Sequence, residues 1–241
     1  MMEPIMLSWR WVWVVVLAGS VPRVLYAADW RVPRADREIR VDGHLDEWQG
    51  IPALTLSPEV EGLESGGAFS GEGDVYLTLQ AAWDPERLYV AIVWRDDEWD
   101  IEEVKRRDAV WVDPQGKRRD RLLFFDNLKL HFHEADYDYV FWLSPRKDDQ
   151  GPYFWCRLLE GYRRLERASL DPLVSTSLRD DGSQQMEVMF FWKQLRQDPK
   201  RKKPLPVTVI LADSDQPRVS LESKLPHLKW LAWVGYMQFI E

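Results

Sequence analysis

The alternation of apolar and polar residues along the chain is clearest between Asp74 and Asp97. Apolar side chains occupy every second position from Val75 to Trp83, which is the period of a half-buried β-strand. The tetrapeptide Asp84-Pro85-Glu86-Arg87 then supplies a turn, because proline presets φ and aspartate can bond the backbone ahead of it. The next arm, Leu88 to Trp94, is apolar on both faces, as a strand in the middle of a packed sheet would be. The stretch therefore predicts a β-hairpin in the core.

Other segments also have strand character and are separated by polar linkers. They are Arg121 to Phe132, Tyr137 to Leu143, Tyr153 to Leu159, Leu173 to Leu178, Met186 to Phe191, Leu205 to Ala212, and Trp230 to Ile240. Two stretches read as surface loops. These are residues 57–73, rich in Gly, Ser and Glu, and the charged residues 95–117, with one helical turn at 101–106.

Short helical turns complete the predicted fold. The segment Ile39 to Trp48 is predicted to be a short strand that runs into a turn and one helical turn. Gly43 suits a backbone position with positive φ there, and Trp48 can pack back as a plug. Another is predicted at Trp192 to Leu195. The sequence contains no repeat and no long helical pattern, so we expect an all-β fold, a two-sheet antiparallel β-sandwich of the jelly-roll kind with short helical turns. A chain of 241 residues has room for one such core, and we assign residues 29–241 to a single domain.

The first 28 residues have the pattern of an export signal. Arg10 precedes an apolar run from Trp11 to Gly19, and small residues ending in Ala27-Ala28 follow. The run is shorter than the roughly 20 residues of a membrane-spanning helix. We therefore predict a signal peptide at residues 1–28 and a periplasmic or secreted protein, with an uncleaved membrane anchor as the alternative.

Composition narrows the classes of partner. The formal net charge is -8, and neutralising nucleic-acid phosphates requires an excess of Lys and Arg, so a nucleic-acid partner is excluded. The single cysteine, Cys156, cannot form an intramolecular disulfide, a zinc site built on several cysteines or a paired-cysteine haem attachment. Fourteen Trp are present. A large aromatic side chain in a charged loop must either be covered by the loop or contact a ligand. Trp residues in charged loops are therefore candidate ligand contacts.

Five segments in order resemble the family 9 carbohydrate-binding modules and their DOMON-like relatives. The segments are VDGHLDEW (41–48), AAWDPERLYVAIVWRDD (81–97), DNLKLHF (126–132), YDYVFWL (137–143) and MEVMFFWKQL (186–195). The resemblance spans nearly the whole mature chain. It implies a β-sandwich without catalytic machinery that holds a ligand.

The sugar-clamping residues of that family do not align here. Sugar-binding members hold a terminal sugar ring between two Trp, and matching by motif places these at Leu123 and near Leu228, while the family's acid in the strand becomes Lys129. Trp99, Trp111 and Trp230 lie nearby and could substitute, since stacking on a sugar needs an exposed flat apolar face with polar neighbours. From these neighbourhoods we predict a ligand site of five residues. They are Trp99, Trp111, Trp142, Asp97 and Glu98.

A second branch of the superfamily is also similar. The segment RRDRLLFFDNLKL, preceded by Trp111, resembles the haem b subunits of periplasmic molybdenum enzymes such as ethylbenzene dehydrogenase. A methionine and a lysine ligate the iron there, but the methionine position is occupied here by Phe124 and Phe125. Met186, Met189 or Met237 with Lys224 or Lys229 could supply a different pair, although Met186 and Met189 point to opposite faces of a strand. Met237 with Lys229 is the candidate pair for the haem alternative.

Two metal hypotheses come from the residues alone. His131 and His133 project from one strand face, although two ligands do not make a site and two solvated side chains are the simpler interpretation. The acidic run around Asp96, Asp97, Glu98 and Asp100 could hold a structural calcium, which takes several oxygen ligands, or could be an exposed acidic loop.

Three function classes follow. The leading hypothesis is an exported, non-catalytic protein that binds a sugar or polysaccharide end. The alternatives are a haem b electron-transfer subunit of a periplasmic molybdenum oxidoreductase and a structural or assembly subunit with a protein partner in a periplasmic complex. No nucleophile motif such as GxSxG occurs, and no carboxylate pair stands out for glycoside hydrolysis, so an enzyme is not predicted.

Overall fold

A computed structural model describes most of the chain. The described residues are 29–67, 69–71, 73–97, 99, 110–112, 118–120, 126–133, 138–148, 151–160, 163–164, 172–195, 197, 203–213 and 229–241. Within them lie fifteen strands and a 3-10 turn at Asp46–Trp48. The strands are β1 (Trp30–Pro33), β2 (Ala53–Leu56), β3 (Glu64–Gly66), β4 (Val75–Trp83), β5 (Arg87–Asp96), β6 (Val110–Val112), β7 (Arg118–Asp120), β8 (Asn127–His133), β9 (Asp138–Asp148), β10 (Gly151–Glu160), β11 (Arg163–Arg164), β12 (Leu173–Leu178), β13 (Gln184–Phe191), β14 (Leu205–Asp213) and β15 (Lys229–Ile240).

The strands form two large sheets and one small one. The eight-stranded sheet has the order β1-β15-β14-β8-β9-β10-β11, with β3 also paired to β15. The five-stranded sheet has the order β12-β13-β5-β4-β2, and β6 pairs with β7. The strand ladders are antiparallel except for β1, which runs parallel to β15. The predicted all-β sandwich of two sheets is confirmed.

The central hairpin forms as the alternation predicts. Strands β4 and β5 pair from Val75–Asp96 to Trp83–Leu88. The Asp84 carboxylate accepts the backbone N–H groups of Glu86 and Arg87, each at 2.7 Å, and closes the turn. Both strands are buried along most of their length, because β4 and β5 lie inside the five-stranded sheet.

The main core lies between the sheets. Aromatic rings join them: Phe190 of β13 meets Phe132 of β8 and Phe141 of β9 edge-on, with centroids 5.4 and 5.1 Å apart. Edge-to-face packing of this kind adds about 0.5–1.5 kcal/mol per pair to the burial of the rings.

A second, smaller core lies on the outer face of the five-stranded sheet. Residues 35–51, here called the covering segment, pack there against Tyr89 and Ala91 of β5. Gly43 has φ +91° and Trp48 is 1% exposed, so the predictions for these two residues are confirmed. The predicted short strand at the start of the segment is wrong, because residues 39–41 form no strand. A Cβ at residue 43 would lie 3.2 Å from the backbone of Thr176, which is a second reason for glycine.

The short strands were not predicted. β3 forms inside the predicted loop at 57–73. β6 forms inside the predicted loop at 95–117, and its partner β7 directly follows that loop. Elements of two to four residues carry no readable period, because their existence depends on the strand they pair with. The predicted helical turn at 101–106 lies outside the described residues. No helix among the described residues has the length and apolar character needed to cross a membrane.

Candidate functional site

Five charged residues from separate strand ends meet at one end of the sandwich. Asp74 precedes β4, Asp96 ends β5, Asp126 precedes β8, Asp213 ends β14 and Lys229 begins β15. We call these five residues the strand-end cluster. Register brings them together, because Val75 is opposite Asp96 and Asp213 is opposite Lys229. The fold therefore collects at one point residues that are far apart in sequence.

The strand-end cluster is buried and densely charged. Asp74, Asp126 and Asp213 are each at most 1% exposed, and Asp96 and Lys229 are 9% exposed. The Lys229 ammonium lies 3.2 Å from Asp213 Oδ2 and donates to Asp74 Oδ1. It also lies 5.4 Å from the centroid of the Phe69 ring, a cation–π distance.

The ammonium governs the titration of Asp74. Burial acts to raise the pKa of this carboxyl, but the hydrogen bond from Lys229, the backbone N–H of Ser70 and the charge of Lys229 together outweigh burial. The pKa of Asp74 therefore lies below its ordinary value of 3.8. The ionised carboxylate is the form that this environment favours.

Three of the carboxylates have the geometry of a metal-binding group. Oxygen atoms of Asp96, Asp126 and Asp213 all lie within 4.8 Å of one another. Hard cations such as calcium take oxygen ligands of this kind. The expected ligand set was a run of neighbours from Asp96 to Asp100, whereas the structure places Asp96 with residues from two other strands. Calcium stays a prediction.

Two of the predicted ligand-binding residues border the strand-end cluster. Trp99 is half-buried and packs against Trp94, with ring centroids 5.1 Å apart and planes at 58°. Trp94 is fully buried in the main core, so it gives Trp99 a fixed support. Asp97 is exposed, and its backbone N–H bonds to the carbonyl of Asp74 at 3.0 Å.

The other predicted residues are distributed differently. Trp142 is only 7% exposed, and Lys129 Nζ lies 4.7 Å from its ring centroid on the outer face of the eight-stranded sheet. The expectation of an exposed Trp142 is wrong, because polar neighbours in sequence did not reveal that the ring is covered. Trp111 lies in β6, where only the backbone is described, and Glu98 lies outside the described residues. Their roles stay predictions.

The candidate haem ligands cannot bind one iron. Met237 and Lys229 belong to the same strand, β15, eight residues apart. At about 3.3 Å per residue they are separated by roughly 26 Å. Met237 is fully buried in the main core, and Lys229 is engaged by Asp74 and Asp213. This proposed pair is therefore wrong, and haem binding itself stays an untested alternative.

A polar cleft of about 560 Å³ lies elsewhere, between the covering segment and the turn that joins β12 to β13. Within it Gln185 Nε2 donates to the Gly43 carbonyl and to Ser177 Oγ, each at 2.7 Å. Ser177 Oγ also donates to that carbonyl at 2.7 Å. These polar groups hold the covering segment in place, so their hydrogen bonds already serve the fold.

Sequence reasoning missed most of the strand-end cluster. Asp74, Asp126 and Asp213 are isolated acids beside apolar strands, and Lys229 was considered only as an iron ligand. The available signal was positional, since Asp74, Asp213 and Lys229 each directly bound a predicted strand, whereas Asp126 lies inside the predicted segment from Arg121 to Phe132. An acid at that point is ordinarily solvated, and only the pairing of the strands shows that several converge.

Comparison with known proteins supports the fold. No protein-family model matches the chain, and no curated protein matches it. The structure resembles a family 9 carbohydrate-binding module from Caldicellulosiruptor kristjanssonii in complex with cellotriose, with a TM-score of 0.52 and 11% identity over 87% of this chain and 93% of that one. A structure of a family 9 module from the same organism in complex with glucose gives a TM-score of 0.49 at 11% identity, covering 87% and 95% of the two chains. The likeness to the cellotriose complex shows that the fold resembles that of the family 9 carbohydrate-binding modules.

Proposed function

We propose that this protein is a non-catalytic carbohydrate-binding β-sandwich whose ligand site lies at the strand-end surface around Trp99 and Asp97. The observation that carries the proposal is the packing of half-buried Trp99 on fully buried Trp94. An aromatic ring that is already held in place before the ligand arrives loses little conformational entropy on binding. Trp94 in the main core holds the Trp99 ring in this way.

The chemistry of this surface suits a sugar. The apolar face of a pyranose stacks on an aromatic ring, while its hydroxyl groups need acceptors at the rim. Asp97 supplies an exposed carboxylate two residues from Trp99. The similarly folded module from Caldicellulosiruptor kristjanssonii binds cellotriose, which supports carbohydrate as the ligand class. Export by residues 1–28 belongs to the proposal, because it would bring the domain to extracellular polysaccharide.

The test is calorimetric titration with cellotriose and glucose, preceded by a glycan array. Trp99→Ala should weaken binding at least about tenfold, as expected when an aromatic anchor worth 1.4 kcal/mol or more is removed. Phe191→Ala is the matched control, since Phe191 is also half-buried but ends β13 at the other end of the sandwich. Its affinity should equal that of the wild type.

Two results would overturn parts of the proposal. If wild-type protein binds no glycan on the array, the carbohydrate function is wrong. If it binds but Trp99→Ala retains full affinity, the function stands and the site lies elsewhere.

A further inference from the structure

Among the described strands, β12 lies at an edge of the five-stranded sheet. It pairs with β13 along its whole length, and no strand in the described part of the chain pairs with its other side. Its sequence, Leu173-Val174-Ser175-Thr176-Ser177-Leu178, contains no charge, proline or glycine. The two terminal leucines are 53% and 60% exposed.

The other described edges carry features that discourage pairing. β1 contains Arg31 and Pro33, β11 consists of two arginines, and β3 is three residues long and begins with an acid. β2 has only four residues. β10, of which only the last two residues pair with β11, contains Pro152 and Arg157. Short length, charge and proline are the means by which natural sheets block association through an edge, and β12 has none of them.

We propose that β12 is an interaction surface that pairs antiparallel with β12 of a second copy of this chain, joining the two five-stranded sheets into one. The backbone groups on the side of β12 away from β13 supply the hydrogen bonds, and exposed Leu178 supplies apolar area that pairing removes from water. Such a contact is isologous, so it closes as a dimer and does not propagate into a fibre.

The symmetry of the strand fixes a register. A twofold axis perpendicular to the sheet requires residues on the same face to oppose each other, so their numbers must differ by an even amount. With Thr176 on the axis, Val174 meets Leu178 of the second copy, and Ser175 meets Ser177. Val174 and Thr176 lie opposite Val188 and Met186 of β13, both fully buried, which places this row on the core side of the sheet. The register therefore covers Leu178 with an apolar partner, Val174 of the second copy.

The first test is the mass of the full-length mature chain in solution, measured by light scattering over a concentration series. We expect a dimer. Thr176→Lys places two ammonium groups opposite each other on the axis, so the dissociation constant should rise at least about tenfold. Thr55→Lys is the matched control, because Thr55 is a half-buried threonine in β2, at the opposite edge of the same sheet. It should leave the dimer unchanged.

The second test remains decisive if Thr176→Lys does not fold. In a Cys156→Ser background, Thr176→Cys should form an intermolecular disulfide, since directly opposite Cα atoms lie about 4.5–5.5 Å apart. Ser175→Cys should not form one, because residue 175 of one copy and residue 175 of the other are only diagonal neighbours, about 7–8 Å apart. A wild type that is monomeric throughout, a dimer that survives Thr176→Lys, or equal cross-linking of the two cysteine variants would each overturn the proposal.

Discussion

Two buried acidic regions of this protein are stabilised in different ways. Glu187, on the outer face of the five-stranded sheet, is fully buried and accepts hydrogen bonds from Asp42 N at 2.9 Å, Gly43 N at 2.8 Å and Trp48 Nε1 at 2.8 Å. The strand-end cluster instead sets the carboxylates of Asp74 and Asp213 against one ammonium, with Asp96 and Asp126 close to Asp213. One region relies on neutral N–H donors, the other on a formal charge.

The pKa directions show what that difference does. Burial raises the pKa of Glu187 above its ordinary 4.5, and the bonds from Trp48, Gly43 and Asp42 offset this only in part. Asp74 is equally buried, yet its pKa is lowered because Lys229 adds a full positive charge to the hydrogen bonds. Neutral donors satisfy a buried carboxylate without making its ionisation favourable, whereas an adjacent cation does both.

The largest predicted effect removes the cation. Lys229→Met should lower the free energy of unfolding by about 3–5 kcal/mol, because Asp74 and Asp213 keep their burial and lose the ammonium. Urea denaturation followed by Trp fluorescence measures it. A loss below about 1 kcal/mol would show that the carboxylates are neutralised in some other way.

Removing the Glu187 carboxylate should lower the free energy of unfolding by somewhat less than removing Lys229. Glu187→Ala leaves three N–H groups of the covering segment without their acceptor, and we expect a loss of about 2–4 kcal/mol. Glu187→Gln keeps one acceptor oxygen and should fall between this variant and the wild type. If Glu187→Ala is as stable as the wild type, the carboxylate does not hold the covering segment.

The pH dependence of the two regions should have opposite signs. The lowered pKa of Asp74 gives stability that is present above pH 3.8 and lost as pH falls through the folded value, so the advantage of the wild type over Asp74→Asn shrinks at low pH. The raised pKa of Glu187 means that the folded state takes up the proton first as pH falls towards 4.5. The stability of the wild type relative to Glu187→Gln should therefore increase over that window. Denaturation curves across this pH range measure both slopes, and slopes of the same sign would contradict the comparison.

The smallest predicted change in the free energy of unfolding comes from removing one hydrogen-bond donor, the Trp48 Nε1–H group. Trp48→Phe keeps most of the aromatic volume in the second core but removes the Nε1–H that bonds Glu187 Oε1. We expect a loss of about 1–2 kcal/mol in thermal or chemical unfolding. The double variant Trp48→Phe with Glu187→Gln should lose less than the sum of the two single losses, because both remove parts of the same bond. Strict additivity would show that the bond contributes nothing.

The long strands were predictable because each carries its own period. The β4–β5 hairpin, with Asp84 in its turn, needed only apolar alternation and one proline, and β12 was located to the residue. The short β3 exists because β15 offers it a partner at Trp230 to Ala232. No local pattern of three residues contains that information.

The candidate site was only partly predictable for a related reason. Trp99 and Asp97 could be found because an aromatic beside acids in a loop is conspicuous in sequence. Burial of Trp142 and convergence of Asp126 with Asp213 depend on which strands become neighbours. Local chemistry can nominate a residue, but only topology decides whether it faces solvent and what it meets.

The register of the five-stranded sheet has a consequence for how two copies would meet a polysaccharide. Leu178 at the end of β12 lies opposite Gln184, which lies opposite Trp94, so this strand ends on the same side of the molecule as Trp99. Antiparallel pairing of two β12 strands would point the two Trp99 surfaces in opposite directions. If the Trp99 surface is the sugar site proposed above, such a dimer would bind two separate sugar chains and would not bind one chain end with both sites.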